Sequence, residues 1–332
     1  MSLKSKTVLV TGAGGFIGSH LAERLVRDGA NVRAMIHYDA RPDRSNLEFV
    51  PKDVLDSMEV VSGDVCDPHF MLKAVDGCDT VFHLAALIAI PYSYEAPSAY
   101  VQTNVAGTTN VVQACQWCNV GRLVHTSTSE CYGTAIYAPI DEAHPLQGQS
   151  PYSASKIAAD KIVESFHLSF GLPAVTVRPF NTFGPRQSAR AVIPTIVSQI
   201  VHGCDEIRLG STAPLRDFNF VANTVDGFVA AATTDAAACA GEVFNLGTGR
   251  EVSIGEVAEM AMDVTGRRVP VVTDDRRIRP ERSEVGRLLC DWSKAQRILG
   301  WTPRVGLREG LEEVAAFIES CPSRFRPAEY AR

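Results

Sequence analysis

Residues 7–18 read Thr-Val-Leu-Val-Thr-Gly-Ala-Gly-Gly-Phe-Ile-Gly, and no other stretch of the chain restricts its fold as strongly. A short apolar strand runs into glycines and then into a helical pattern over 19–28 that stops at Gly29. Strand, tight turn and helix N-terminus in that order aim backbone N–H groups and the positive end of the helix dipole at one point, a geometry suited to a pyrophosphate. Gly12, Gly15 and Gly18 have the GxxGxxG spacing rather than GxGxxG. A glycine triplet alone is weak evidence, but its place between a strand and a helix gives it weight.

The alternation then continues. Apolar runs at 32–36, 58–61, 80–84, 122–125 and 174–177 predict further strands, with helical stretches at 97–116 and 152–170 among the connections. Strands separated by helices imply an α/β fold, a doubly wound parallel sheet of Rossmann type. After Pro179 the pattern loosens into shorter segments rich in Pro, Gly and Arg, so a smaller C-terminal lobe is expected to begin near residue 180. That lobe is read as discontinuous. Residues 218–221 and the Ala-rich helix after them look like a return to the main sheet, giving a first domain of 1–180 with a return segment at about 215–242, and a lobe made mainly of 181–332.

Composition excludes several functions. The chain has 332 residues, 45% of them hydrophobic, enough for a full core. Thirty-two Lys and Arg against 38 Asp and Glu leave a net charge of −6, with no basic stripe to meet nucleic acid. Met1 to Lys6 lead into a strand without an apolar signal segment, and no apolar run approaches the roughly 18 residues of a membrane span. A cytoplasmic protein with no membrane partner is expected. Nine cysteines, an odd number, fit reduced thiols better than a disulfide framework. Cys115 and Cys118 form a lone CxxC in a helical stretch without the further ligands zinc needs, so no metal site is expected.

Several further motifs belong together: Gly63-Asp64-Val65, His83-Leu84-Ala85-Ala86, Asn104, Tyr152 with Lys156, Arg178-Pro179-Phe180-Asn181, Gly184-Pro185-Arg186 and Arg216-Asp217-Phe218. With the glycine turn they resemble, over essentially the whole chain, an extended short-chain dehydrogenase/reductase acting on nucleotide-diphosphate sugars. Ser127 to Gly133 (Ser-Thr-Ser-Glu-Cys-Tyr-Gly) resembles the corresponding segment of sugar 4,6-dehydratases, most closely those of the hexosamine and GDP-mannose type. The stretches 85–94 and 145–151 are similar to dehydratases of the legionaminic-acid pathway. The resemblance implies an NAD(P)-dependent 4,6-dehydratase, a lyase, acting on a nucleotide-diphosphate sugar such as UDP- or GDP-GlcNAc; an epimerase or a 5,6-dehydratase is the alternative on the same fold.

The chemistry explains why such residues travel together. The C6 hydroxyl cannot leave until the C5 proton is acidic, which requires a transient ketone at C4. Tyr152 is the candidate base for the C4 hydroxyl. Lys156 lies one helical turn on, where its charge favours the phenolate. Thr128 would orient the C4 oxygen. Glu130 would take the C5 proton and assist loss of water, where epimerases of this superfamily carry small residues. Ser129 stands where glucose-type dehydratases resemble this pattern with an Asp proton donor; serine is a poor acid, so Glu130 is expected to serve both steps.

The implied cofactor contacts are Gly12, Gly15, Phe16, Ile17, Gly18, His37, Asp64, Val65, Leu84, Ala85, Ala86 and Asn104, with Tyr152 and Lys156. An acidic residue ending the second strand normally holds the adenosine ribose and rejects a 2′-phosphate. Here that place is Ile36, followed by His37 and Tyr38, with Arg41 and Arg44 beyond, so NAD and NADP both stay open. Because the hydride is returned, the cofactor should be tightly bound and recycled. Tyr92, Ser93, Asn181, Arg186, Arg216 and Arg279 are candidate contacts to the nucleotide sugar, Arg216 and Arg279 as forks for its diphosphate, which Arg186 could also reach. The helical stretches 97–116 and 152–170 resemble the pair that joins two subunits in this superfamily, and a homodimer is expected.

Overall fold

The computed structural model describes residues 2–39, 45–278 and 280–327. Seven strands form one parallel sheet: β1 (Thr7–Thr11), β2 (Asn31–His37), β3 (Glu59–Gly63), β4 (Thr80–His83), β5 (Arg122–Thr126), β6 (Ala174–Pro179) and β7 (Val243–Leu246). Their order is β7-β6-β5-β4-β1-β2-β3. The sheet is thus wound outward in both directions from the β1/β4 junction, and ligands of such sheets bind above that junction, at the carboxyl ends of the strands.

Both faces of the sheet are covered, which is why its central strands carry apolar residues at successive positions, as at Val8-Leu9-Val10, Val81-Phe82 and Leu123-Val124. On β1, Val8 and Val10 enter one core with Leu21 and Leu25 of the Phe16–Arg27 helix, while Leu9 enters the other with Met71, Val111 and Val163. The period-2 alternation of a strand divides its residues between the two layers.

The helix carrying Tyr152 and Lys156, Pro151–Phe170, has strong punctuation at both ends. Ser150 caps it in a reciprocal box with Ser153, Pro151 opens the first turn, and Gly171 closes it at φ 69°. The expected helix over 97–116 is continuous but not uniform. Pro97–Tyr100 leads into a wider π turn, Val101–Ala106, and only then into Gly107–Trp117.

The C-terminal part holds the helices Val192–Val201, Ile254–Thr265 and Leu307–Ser320 and three two-stranded ladders. Residues 218–221 do not rejoin the main sheet: Asn219–Phe220 pair with Thr182–Phe183. The returning strand is β7, beyond the segment expected, and it lies beside β6. The Val221–Thr233 helix between them packs on the same sheet face as Phe16–Arg27.

Candidate active site

The glycine turn forms a cradle that side chains would fill. Gly12 has φ +71°, and a Cβ there would lie 2.8 Å from Ala85 N. A Cβ on Gly18 would lie 2.1 Å from Gly12 O, so only glycine lets the first helical turn sit this close to β1. The helix begins at Phe16 with Gly15 as N-cap, no side-chain cap and no acidic residue in its first turn. The first N–H groups, at Phe16, Ile17 and Gly18, are therefore left for an anion from outside the chain. Thr11 Oγ1 accepts from Leu84 N and Ala85 N, both at 3.1 Å, which pins the loop of Leu84, Ala85 and Ala86 over the turn. These features fit a dinucleotide.

Farther along the sheet edge, His37 Nε2 stands 3.7 Å from Asp64 Oδ2, and Asp64 Oδ1 accepts from Cys66 N at 2.9 Å. Val65 is buried against Gly107. Ile36 packs beside Gly14, so an apolar side chain lies where the acidic ribose ligand would sit. Asn104 is in the π turn, and such turns concentrate at functional sites. Its amide is occupied within the protein: Oδ1 accepts from Leu87 N at 2.8 Å, and Nδ2 donates to Leu87 O and Ser155 Oγ, each at 2.9 Å. Asn104 thus clamps the β4 loop to the Tyr152 helix, with both amide N–H groups engaged within the protein.

Tyr152 and Lys156 project from one helix face toward the end of β5. Burial pushes the Tyr152 phenol well above its ordinary range, with the Thr128 hydroxyl acting in the opposite direction. The Tyr100 ring meets it edge-on at 6.2 Å. Lys156 is 4% exposed and donates from Nζ to Thr126 O at 2.6 Å. Burial lowers its pKa and Asp160 raises it. After β5 the chain turns through the 3₁₀ segment Ser129–Tyr132, capped by Thr128, whose Oγ1 accepts from Glu130 N at 3.2 Å. Glu130 is half-buried on that turn, close enough to Tyr152 for its charge to oppose phenolate formation. Ser129 beside it is buried, as is Cys131, whose thiol burial pushes up to about 12. Thr128, Glu130, Tyr152 and Lys156 therefore converge at the carboxyl edge of β5, next to the cradle.

The proposed sugar contacts divide. Tyr92 is exposed on the short helix Ile90–Glu95. Ser93 on the same helix is fully buried and donates to Ile90 O at 2.7 Å, so its hydroxyl proton is engaged within its own helix. Asn181 keeps a buried Oδ1 that no protein donor reaches. Arg216 is buried and donates from Nη2 to Glu284 Oε1 at 2.8 Å. Arg186 is drawn elsewhere: Nη2 donates to Glu23 Oε2 at 2.6 Å and to Phe49 O at 3.2 Å, which ties it to the Phe16–Arg27 helix and not to Arg216. Arg279, like Arg41 and Arg44, lies outside the described residues. No group of His, Cys, Asp and Glu among the described residues could hold a metal ion, and none of their helices is long and apolar enough to cross a membrane. Motif reading passed over Asp160, although its spacing of four from Lys156 and eight from Tyr152 puts it on their face.

Known proteins resemble the chain over nearly its whole length. The family model described as GDP-mannose 4,6 dehydratase matches residues 9–314. A dTDP-glucose 4,6-dehydratase of Actinoplanes sp. is 31% identical over 318 residues, covering 93% of this chain and 97% of that protein. A UDP-glucose 4-epimerase of Mycolicibacterium smegmatis is 32% identical over 319 residues, covering 94% and 98%. A dTDP-glucose 4,6-dehydratase from Streptomyces venezuelae, solved with NAD bound, superposes with a TM-score of 0.86 at 28% identity over 97% of this chain and 100% of that one. With its seven-stranded Rossmann-type sheet and the Tyr152/Lys156 couple at the sheet's carboxyl edge, the chain belongs to the GDP-mannose 4,6 dehydratase family, within the nucleotide-sugar dehydratases and epimerases of the extended short-chain dehydrogenase/reductase class.

Proposed function

We propose that the protein is a nucleotide-diphosphate-sugar 4,6-dehydratase that uses NAD(P). The observation that carries this reading is Glu130, a carboxylate on the turn that also bears Thr128, beside Tyr152. A nicotinamide dinucleotide held by the Gly12–Gly18 cradle supplies reversible hydride acceptance. The chain's own residues do the rest. Tyr152, with the Lys156 charge one turn away, takes the proton of the C4 hydroxyl while Thr128 orients that oxygen. Once C4 is a ketone the C5 proton is acidic, and Glu130 removes it. With Ser129 buried and a poor acid, Glu130 also passes a proton to the departing C6 hydroxyl. Asn181 and Arg216 take the diphosphate, so residues 1–180 serve mainly the cofactor and 181–332 mainly the nucleotide sugar.

The sugar is read as a hexose, and a hexosamine from the dehydratases that segment 127–133 resembles; the matched relatives named above are a dTDP-glucose and a UDP-glucose enzyme. Incubation with UDP-, GDP-, dTDP- and CDP-hexoses and their acetamido counterparts decides it. A product lighter by one water supports the reading, whereas a product of unchanged mass identifies an epimerase.

Cofactor choice should be loose, because Ile36 neither repels a 2′-phosphate nor leaves an acceptor unpaired. Protein stripped of cofactor is expected to bind NAD and NADP with comparable affinity. A preference for NAD above roughly 1000-fold, about 4 kcal/mol, would mean that another residue selects. A homodimer is proposed through the helices around 101–117 and 151–170, supported by the apolar side chains of Val101, Trp117, Leu168 and Phe170 exposed on them. Light scattering at micromolar concentration should give twice the chain mass; a monomer mass would refute it. The nine cysteines, all unpaired, support a reducing compartment such as the cytoplasm.

A further inference from the structure

Beneath the Tyr152/Lys156 couple lies a charged cluster that is almost entirely buried. Asp160 follows Lys156 by one helical turn and is 5% exposed. Its Oδ2 accepts from Ser127 Oγ at 2.6 Å and from Arg178 Nη2 at 2.8 Å, and its Oδ1 lies 3.1 Å from His125 Nε2. Arg178, 4% exposed, donates from Nη1 to the Tyr132 hydroxyl at 3.0 Å. Tyr132 ends the turn that carries Glu130. The buried set thus contains two cations, Lys156 and Arg178, and a single carboxylate. Its two histidines are kept neutral: burial lowers the pKa of His83 and of His125, and the Lys156 charge pushes both further down. Asp160 stays ionised, because the His125 hydrogen bond and the Arg178 charge overcome the effect of its burial.

The cluster therefore carries one unit of positive charge that nothing buried cancels, and the group in a position to cancel it is the Tyr152 phenolate. We propose that Asp160 is a positioning residue for the reaction: it neutralises Arg178 and thereby reserves the Lys156 charge for Tyr152, without touching substrate. The proposal rests on reading Tyr152 and Lys156 as the acid-base couple. The charged and titratable groups facing that couple are Glu130 and Cys131 on the 3₁₀ turn, Tyr100 from the helix before the π turn, His83 from β4, His125 from β5, Arg178 from β6 and Asp160 on their own helix.

Removing a negative charge makes every nearby proton easier to lose. In Asp160→Asn holoenzyme, the rise of activity with Tyr152 ionisation and its fall with Lys156 deprotonation should both move to lower pH, by about one unit or more. Arg178→Met should move both to higher pH. Asp160→Glu, which keeps the charge, should return the profile to its wild-type position. The profile is read as nicotinamide reduction on mixing holoenzyme with dTDP-glucose, UDP-glucose, UDP-GlcNAc or GDP-mannose. Titration of nitrogen-15-labelled Lys156 Nζ in the sugar-free protein supplies an independent reading. Folded single variants whose profile and Nζ titration stay in place, with only the rate reduced, would overturn the proposal and leave Asp160 a structural residue. If neither single variant folds, the double exchange Asp160→Asn with Arg178→Met leaves no unpaired charge and should restore both fold and wild-type midpoint; a displaced midpoint would count against the charge balance. If no sugar reduces the cofactor, the dehydratase reading fails while the Nζ titration still decides this one.

Discussion

Tyr152→Phe is expected to lower turnover by roughly 100-fold or more while substrate affinity survives, because it removes the hydroxyl that accepts the C4 proton and little else. The ring packs edge-on against Tyr100 within a small apolar cluster with Ile90 and Leu87, and phenylalanine preserves that packing. The Lys156 bond to Thr126 O does not involve the phenol. The loss should therefore fall on kcat, with KM close to wild type. Turnover near wild type in steady-state assays would remove Tyr152 from the mechanism.

Glu130→Gln is expected to separate the two halves of the reaction. Glutamine keeps the size of the side chain but cannot accept the C5 proton, so water loss should drop by about 100-fold or more. C4 oxidation, which relies on Tyr152, Lys156 and Thr128, should persist, leaving reduced cofactor and a 4-keto hexose on the enzyme. Absorbance of the reduced nicotinamide after a single mixing shows this directly. A variant that releases dehydrated sugar at the wild-type rate would show that some other group does the elimination.

How far the sequence disclosed this site depended on where each residue's partner lies. The cradle was legible because glycine at positions 12, 15 and 18 answers a local need, close backbone approach, and so leaves a local trace. The central strands were legible for the same reason: burial on both faces favours apolar residues at successive positions, as at Val8-Leu9-Val10. The π turn at Val101–Ala106 left no such trace, since a helix widened by one residue keeps nearly the same apolar spacing. Arg186 read as an arginine able to reach the diphosphate as well; Glu23, distant in sequence, draws it toward the first helix. Ser93 read as a loop hydroxyl and is buried in a short helix. Asp160 resembled any solvated helix charge until Arg178, Ser127 and His125 were seen to close around it. Residues 218–221 looked like the returning strand because they are apolar and short, features they share with β7, and only the pairing separates the two.

The central claim is that C4 oxidation by the Tyr152/Lys156 couple and elimination by Glu130 are consecutive steps on one bound sugar. A turning substrate from the panel, deuterated at C4 and incubated in ordinary water, tests this most directly. The account predicts a 4-keto-6-deoxy product, lighter by one water, with the deuterium at C6; run in heavy water with unlabelled substrate, the same reaction should place one solvent deuterium at C5. A product of unchanged mass with its label back at C4, or a stable 5,6-alkene without label at C6, would contradict it.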